Sequence, residues 1–158
     1  MKHESKAGII GRRWFEEVWS KRRDDLVDEF MTADSIGHVE GGEFRGPAGF
    51  RQMRDMFLSA LPDLHIDVED VISDGDRAAV RWRARGTHSG DGLGFAATHQ
   101  RIDVCGTTWL VVHGDKIVEG WDTWNLEGML SSLRTAAGKS AVSSLVYLQY
   151  ESSKETIG

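Results

Sequence analysis

The repeat of apolar residues along this chain changes at Pro62-Asp63 from a helical period to a strand period, and this change limits the folds that the chain can adopt. Before it, apolar side chains recur every three to four residues, which is the period of an amphipathic helix. That spacing predicts three helices, over residues 8–20, 24–31 and 47–61. Pro47 suits the first turn of the third helix, because a backbone N–H would be unpaired there in any case. The glycine-rich segment from Gly37 to Gly46 is predicted to be a loop.

After Pro62-Asp63 apolar and polar residues alternate, which is typical of half-buried strands. Asp74-Gly75-Asp76 and Gly114-Asp115 are turn sequences, so the pattern predicts two hairpins, with strands over about 66–72, 80–86, 100–112 and 117–124. A loop over 89–97 and a closing helix over 126–133 complete the prediction. Helices packed on one face of a mostly antiparallel sheet define an α+β fold. If the sheet curves strongly, a helix across its mouth encloses a single concave pocket.

Size and charge exclude several classes of protein. A chain of 158 residues can bury one core, and its net charge of −6 disfavours nucleic acid as a partner. No apolar run approaches the ~20 residues of a membrane span, so we expect no membrane partner. The single Cys105 excludes an internal disulfide and zinc sites built from cysteine pairs. The first residues, Met-Lys-His-Glu-Ser, do not resemble a signal peptide, and we therefore expect a cytoplasmic protein.

The composition changes after Arg134. We therefore predict one domain over residues 1–134 and an appended tail over 135–158. The tail contains a short apolar run, Val142–Tyr150, that would be a liability if it were exposed. It could dock either on the domain or on a second subunit.

Alternate residues of the strand around Trp82 differ in character. Apolar residues at the even positions from Val80 to Ala84 are predicted to face inward, and Arg81, Arg83 and Arg85 to face outward. We interpret the arginines as a solvated outer face or a dimer contact rather than as an anion site, because charged strand faces usually meet water.

Six short segments carry a family resemblance by their order and spacing. They are Gly46-Pro47-Ala48-Gly49-Phe50, Pro62-Asp63-Leu64, Asp74-Gly75-Asp76, Gly86-Thr87-His88-Ser89-Gly90, Gly114-Asp115-Lys116-Ile117-Val118-Glu119 and Trp121-Asp122. Over roughly residues 8–134 they resemble the SnoaL-like polyketide cyclase (ester cyclase) family. That family shares the fold of nuclear transport factor 2 and ketosteroid isomerase.

The resemblance implies a cone-shaped, cystatin-like α+β barrel whose N-terminal helices close a deep apolar pocket. It also implies a homodimer that uses no metal and no organic cofactor and acts on a small hydrophobic or aromatic molecule. The cyclases close a ring by intramolecular aldol condensation of a polyketide ester, and Asp122 matches their general acid/base. Their neighbouring His corresponds to Thr108, and Asn125 stands where many relatives carry Asp. A hydroxylase-like or isomerase-like variant and a non-catalytic ligand-binding dimer therefore stay open as alternatives.

The sequence around Asp122 agrees with the role of a base. A carboxylate in apolar surroundings has a raised pKa and can remove a proton next to a carbonyl. Trp121 and Trp124 flank Asp122, and on a regular strand Val118, Gly120, Asp122 and Trp124 share one face. The alternative is that Asp122 caps the helix after it or pairs with an arginine of a neighbouring strand.

Several further residues are candidates for the site. His88 would lie at the pocket end of its strand, either as a proton donor or as an anchor of the 89–97 loop. His38 is placed near the pocket opening, and Glu40 is a rival carboxylate that we expect to be exposed instead. The predicted substrate-binding residues are His38, Trp14, Trp82, Thr108, Trp124 and Asn125. Trp109 and Trp121 have the opposite parity and are predicted to face a subunit interface or the helix layer.

Overall fold

A six-stranded curved sheet forms the body of the protein in a computed structural model that describes residues 3–138. The strands are β1 (Met31–Val39), β2 (Gly42–Arg45), β3 (His65–Asp74), β4 (Arg77–Thr87), β5 (Arg101–His113) and β6 (Lys116–Thr123). Their order is β2-β1-β6-β5-β4-β3, and all neighbours are antiparallel except β1 and β6, which run parallel. The predicted α+β class and the mostly antiparallel sheet are confirmed.

Within residues 3–138, four helices cover the sheet. They are α1 (Lys6–Arg13), which continues as a π-helical segment over Trp14–Ser20, then α2 (Asp25–Phe30), α3 (Gly46–Ala60) and α4 (126–138). Ser5 begins α1, since its hydroxyl accepts the Gly8 N–H at 3.4 Å, and Pro47 lies in the first turn of α3 as predicted. Residues 135–138 continue α4, and the rest of the predicted tail, with its apolar run, lies outside the described residues.

The segment from Gly37 to Gly46, predicted as a loop, instead contains most of a hairpin. Strands β1 and β2 pair from Ile36 with Arg45 to Val39 with Gly42, and Gly41 makes the turn with a φ of +83°. The ring of Phe44 occupies the space where a side chain at Gly37 would stand. The prediction of a loop was wrong because glycine reads locally as a breaker, whereas here it leaves room for a cross-strand aromatic ring.

Two bulges change which residues face inward. In β3 the register with β4 shifts between Val68 and Asp70, so that the expected alternation through Ile72 fails and this side chain is 69% exposed. In β6 the register with β5 shifts near Val118, which consequently leaves the face shared by Gly120 and Asp122. The inward parity of Asp122 survives because it lies beyond the bulge.

The core lies between the concave face of the sheet and the helices. The inward side chains of β4, from Ala78 to Ala84, are almost fully buried, because α1 packs on this strand and Phe15 of the π-helical segment stacks on Trp82. Gly11 lets α1 approach closely, since a Cβ there would lie 2.8 Å from Val80. This packing leaves one end of the concave face uncovered by α1, and the candidate site lies there.

Candidate active site

An apolar cavity of about 240 Å³ lies between the sheet, the π-helical segment, α3 and the start of α4. Eight aromatic side chains line it: Trp14, Phe15, Trp19, Phe44, Phe50, Phe57, Trp82 and Trp124. Within residues 3–138 its polar lining side chains besides tryptophan are Ser35, Glu40, Thr108 and Asp122, and no lysine, arginine or histidine reaches its wall. Such a cavity suits an uncharged, flat apolar molecule that is held by a few polar groups.

Asp122 on β6 is linked by hydrogen bonds to a residue of β5 and, through it, to a residue of β4. The Thr108 hydroxyl donates to Asp122 Oδ1 at 2.6 Å, and the Trp82 indole N–H donates to Thr108 Oγ1 at 2.9 Å. Thr108 faces Asp122 directly in the β5–β6 register, which explains the short contact. The three side chains therefore form one hydrogen-bonded chain along the cavity wall.

The surroundings of Asp122 favour its protonated form. Burial among apolar side chains raises the pKa of its carboxyl, and the hydrogen bond from Thr108 opposes part of this increase. Among the described residues Thr108 is its hydrogen-bond partner, so the structure realises neither the helix-cap alternative nor the arginine pair. A carboxyl whose pKa is raised inside a pocket is a stronger base than an ordinary carboxylate and is therefore suited to proton transfer.

The three tryptophans predicted as pocket walls all line the cavity. Trp82 and Trp124 contact each other edge to face, with ring centroids 6.1 Å apart, and Trp14 packs on Phe50 at 4.6 Å. Thr108 also lines the cavity. These four residues and Asp122 therefore meet at one site.

His88 is buried behind the pocket and does not reach the cavity wall formed by the described residues. Its Nδ1 accepts the Thr98 N–H at 3.2 Å, and its ring packs edge to face on Phe95. Its backbone pairs with Gln100 and His99, and burial lowers the pKa of the ring. This geometry matches the loop-anchor alternative rather than the catalytic one, because β4 extends past the cavity before it reaches His88.

His38 lies on the outer face of the sheet, not at the pocket. Its neighbours Gly37 and Val39 line the cavity, so strand alternation turns the His38 side chain away. Its Nε2 lies 2.8 Å from Glu119 Oε1, and its ring stacks on Trp121 at 5.2 Å. The predicted role of His38 in substrate binding is therefore not supported by its position.

Asn125 and Glu40 both cap α4. The Asn125 side-chain oxygen accepts the Gly128 N–H at 2.8 Å, and Glu40 accepts the N–H groups of Leu126 and Glu127 at 2.7 and 3.3 Å. Asn125 is not in the cavity wall, contrary to prediction, because the helix start takes up its side chain. Glu40 was expected to be merely exposed, but it also lines the cavity and joins the β1–β2 turn to α4.

The outer face of the sheet carries the arginines and the remaining tryptophans. Arg81, Arg83 and Arg85 each pair with a carboxylate of an adjacent strand, namely Glu69, Asp103 and Asp67, at 3.3, 2.6 and 3.0 Å. This agrees with a solvated face rather than an anion site. Trp109 and Trp121 face each other across β5 and β6 and are 45% and 37% exposed.

Two kinds of feature are absent from the described residues. No helix in residues 3–138 combines the length and apolar character that crossing a membrane requires. In the same range, no three His, Cys, Asp or Glu side chains are grouped so that they could hold a metal ion.

Comparison with known proteins places the chain in a family. No curated protein matches it. A protein from Jannaschia sp. CCS1, assigned as a SnoaL-like polyketide cyclase, is 21% identical with a TM-score of 0.74, covering 81% of this chain and 91% of its own. A protein from Acidithiobacillus ferrooxidans, assigned as a polyketide cyclase, is 27% identical with a TM-score of 0.69, covering 86% and 99%. AclR from Streptomyces galilaeus, assigned as a hydroxylase, is 25% identical with a TM-score of 0.68, covering 82% and 98%. The family model for SnoaL-like polyketide cyclase matches residues 10–133, so the chain belongs to this family.

Proposed function

We propose that this protein catalyses cofactor-independent acid–base chemistry on a hydrophobic carbonyl compound, with intramolecular aldol cyclisation of a polyketide ester as its reaction. One observation carries the proposal: the carboxyl of Asp122 lies in an aromatic cavity, where desolvation raises its pKa. Membership of the SnoaL-like family supports the same chemistry.

In this reaction the Asp122 carboxylate removes a proton from the carbon next to a carbonyl and becomes neutral. The enolate carbon then bonds to a second carbonyl carbon of the same molecule, and the resulting alkoxide takes the proton back from Asp122. Protons and electrons balance without a cofactor. The raised pKa makes Asp122 a stronger base than an ordinary carboxylate, while the apolar walls exclude competing water.

The lining also favours an ester over a free acid. Within the described residues no basic side chain reaches the cavity, whereas Asp122 and Glu40 do. A substrate carboxylate would therefore meet two acidic groups and no cation, and its desolvation would not be compensated. A methyl ester avoids this cost.

A hydroxylase-like or isomerase-like reaction is the second candidate, and Thr108 is the observation that favours it. At the position where the cyclases of this family carry a histidine, this chain has Thr108, whose hydroxyl does not titrate near neutral pH. The similarity to AclR, a relative assigned as a hydroxylase, supports this reading.

Incubation with methyl esters of anthraquinone-type polyketides in D₂O tests both candidates. We expect exchange of the proton next to the carbonyl, followed by a ring-closed product with no added oxygen, measured by NMR and mass spectrometry. A product heavier by one oxygen atom would indicate the hydroxylase-like reaction, and a moved double bond the isomerase-like one. Ligand-induced quenching of tryptophan fluorescence without any exchange would contradict both and indicate a binding protein.

We also propose that two copies associate through the outer face of the sheet. Exposed paired aromatics such as Trp109 and Trp121 are enriched in interfaces and unusual on a solvated strand face. Sedimentation should give the mass of two chains for the wild type and of one chain for the double variant Trp109→Lys/Trp121→Lys. Ile9→Lys is the matched control, since Ile9 is comparably exposed on α1, and it should stay dimeric. A monomeric wild type, or a dimeric double variant, would refute this interface.

A further inference from the structure

The hydrogen-bonded chain from Trp82 to Asp122 has a fixed direction. An indole N–H can only donate, so Thr108 Oγ1 must act as the acceptor in its contact with Trp82. The hydroxyl has one proton, and the 2.6 Å contact directs it to Asp122 Oδ1. Trp82 and Thr108 are both buried, which shields the hydrogen bond between them from water.

The packing around Trp82 holds its indole in place. Gly106 lies opposite Trp82 in the β4–β5 register, and a Cβ there would lie 2.6 Å from the ring. Trp124 closes the other side through its edge-to-face contact. The indole N–H is therefore aimed at Thr108 by close packing and does not depend on the hydrogen bond alone.

This direction makes the two oxygens of Asp122 unequal. Oδ1 accepts the Thr108 proton, whereas Oδ2 has no such donor among the described residues. Because Oδ1 already accepts the Thr108 proton, Oδ2 is the oxygen that can bind a proton without displacing this hydrogen bond. The other titratable side chain that lines the cavity in the described part is Glu40, and it is engaged by the backbone of α4.

We propose that Thr108 and Trp82 are positioning residues for Asp122, fixing Oδ1 as a hydrogen-bond acceptor and leaving Oδ2 as the atom that exchanges a proton with the substrate. The proposal rests on the proposed function, in which Asp122 is the base. Thr108 acts on Asp122 directly, and Trp82 acts through Thr108. Thr108 thus takes the position of the family's histidine with a hydroxyl that orients the carboxylate but does not carry the proton itself.

Three variants test the hydrogen-bonded chain from Trp82 to Asp122. The primary measurement is the titration of the Asp122 carboxyl, which does not require turnover. Thr108→Val has nearly the same shape but no hydroxyl, Trp82→Phe keeps an aromatic ring but no N–H, and Thr108→Ser restores the donor. The titration midpoint of the Asp122 carboxyl is followed by ¹³C NMR. Thr108→Val should raise it by about one to two pH units, because a hydrogen bond to a charged group is lost. Trp82→Phe should raise it less, and Thr108→Ser should leave it near the wild-type value.

Coupling between the variants supplies the sharper criterion. Because Trp82 acts through Thr108, Trp82→Phe should have no further effect on the midpoint in the Thr108→Val background. In each variant the low-pH limb of the plot of kcat/KM against pH should shift to higher pH together with the titration midpoint of Asp122.

Unchanged midpoints in Thr108→Val and Trp82→Phe would overturn the proposal, as would additive effects in the double variant. If Thr108→Val does not fold, the test is the comparison of the Asp122 titration midpoint in Trp82→Phe with that in Thr108→Ser. Failure of the proposed function is a separate result. In that case the midpoints move as expected, but Asp122→Asn turns over substrate at the wild-type rate.

Discussion

Asp122→Asn is expected to lower kcat/KM by about 10²- to 10⁴-fold, the range that a positioned general base supplies. The amide keeps the shape of the side chain and can still accept the Thr108 hydroxyl proton, but it cannot take a proton from the substrate. The measurement is the rate of proton exchange next to the carbonyl, together with the rate of ring closure for the same ester.

The same substitution should not destabilise the protein at pH 8. Below the unfolded pKa of ~3.9 the Asp122 carboxyl is neutral in both states, so its burial has no charge penalty. As the pH rises, the unfolded chain ionises first because the folded pKa is raised, and the folded state loses stability until the pH passes the folded pKa. Asp122→Asn removes this loss, so its Tm should equal or exceed that of the wild type at pH 8, with a smaller advantage near pH 4.

Asp103→Asn is the matched control. Asp103 lies on the outer face in a 2.6 Å pair with Arg83, and this hydrogen bond holds the pKa of its carboxyl below the ordinary value. Its contribution to stability is therefore present above the unfolded pKa and lost as the pH falls through the folded pKa, opposite in sign to Asp122. Its kcat/KM should be unchanged. Equal turnover by Asp122→Asn and the wild type would exclude Asp122 as the base.

Local periodicity predicted the helices and strands whose repeat of apolar residues lies within one continuous segment of the chain. The even positions of β4 from Val80 to Ala84 face inward as expected, and so does Asp122. Parity predicts a face, but it does not predict depth along the strand. His88 has the correct parity and is buried, yet β4 carries it past the cavity to the loop that follows. Its position depends on where α3 ends, since Ser89 and Gly90 both donate to the Ala60 carbonyl.

The β1–β2 hairpin was missed because its stability is not local. The segment from Gly37 to Gly46 contains four glycines including its two end residues, which weakens any strand prediction from propensity. Its pairing is completed by β6, a strand that follows some 80 residues later in the chain. The position of His38 on the outer face follows from that pairing. A signal for Asn125 was present, however, because Asn directly before a helix is a preferred N-cap.

The parallel pairing of β1 with β6 also explains how the site is assembled. It places the β1–β2 turn beside the start of α4, where Glu40 binds two backbone N–H groups. This part of the cavity wall therefore combines residues from two distant parts of the chain, which sequence spacing alone does not bring together. The hydrogen-bonded chain from Trp82 to Asp122 also spans three strands, and each of these strands was predicted. The resemblance placed Thr108 beside Asp122, as the β5–β6 register has it, whereas the contact between Trp82 and Thr108 was not predicted.

Phe50→Ala is expected to lower the free energy of unfolding by about 3–5 kcal/mol, the usual cost of removing a buried aromatic ring. Phe50 is 1% exposed and joins three elements, since its ring lies 4.6 Å from Trp14, 5.6 Å from Trp19 and 5.8 Å from Phe44. It also lines the cavity, so the space left by the ring would merge with the cavity instead of collapsing. Urea unfolding followed by circular dichroism at one pH measures the change.

Ile72→Ala provides the comparison, because it removes a large apolar side chain from the same fold at a position that is 69% exposed. Its effect on the free energy of unfolding should stay within about 0.5 kcal/mol, since little contact is lost. If Phe50→Ala cost no more than Ile72→Ala, the aromatic cluster would not be the part of the core that holds α3 against the N-terminal helix. A large loss for Phe50→Ala alone would instead mean that the cavity wall and the stability of the fold depend on the same ring. Substitutions that widen the pocket for larger substrates must then be made at less buried lining residues such as Met56, which is 41% exposed.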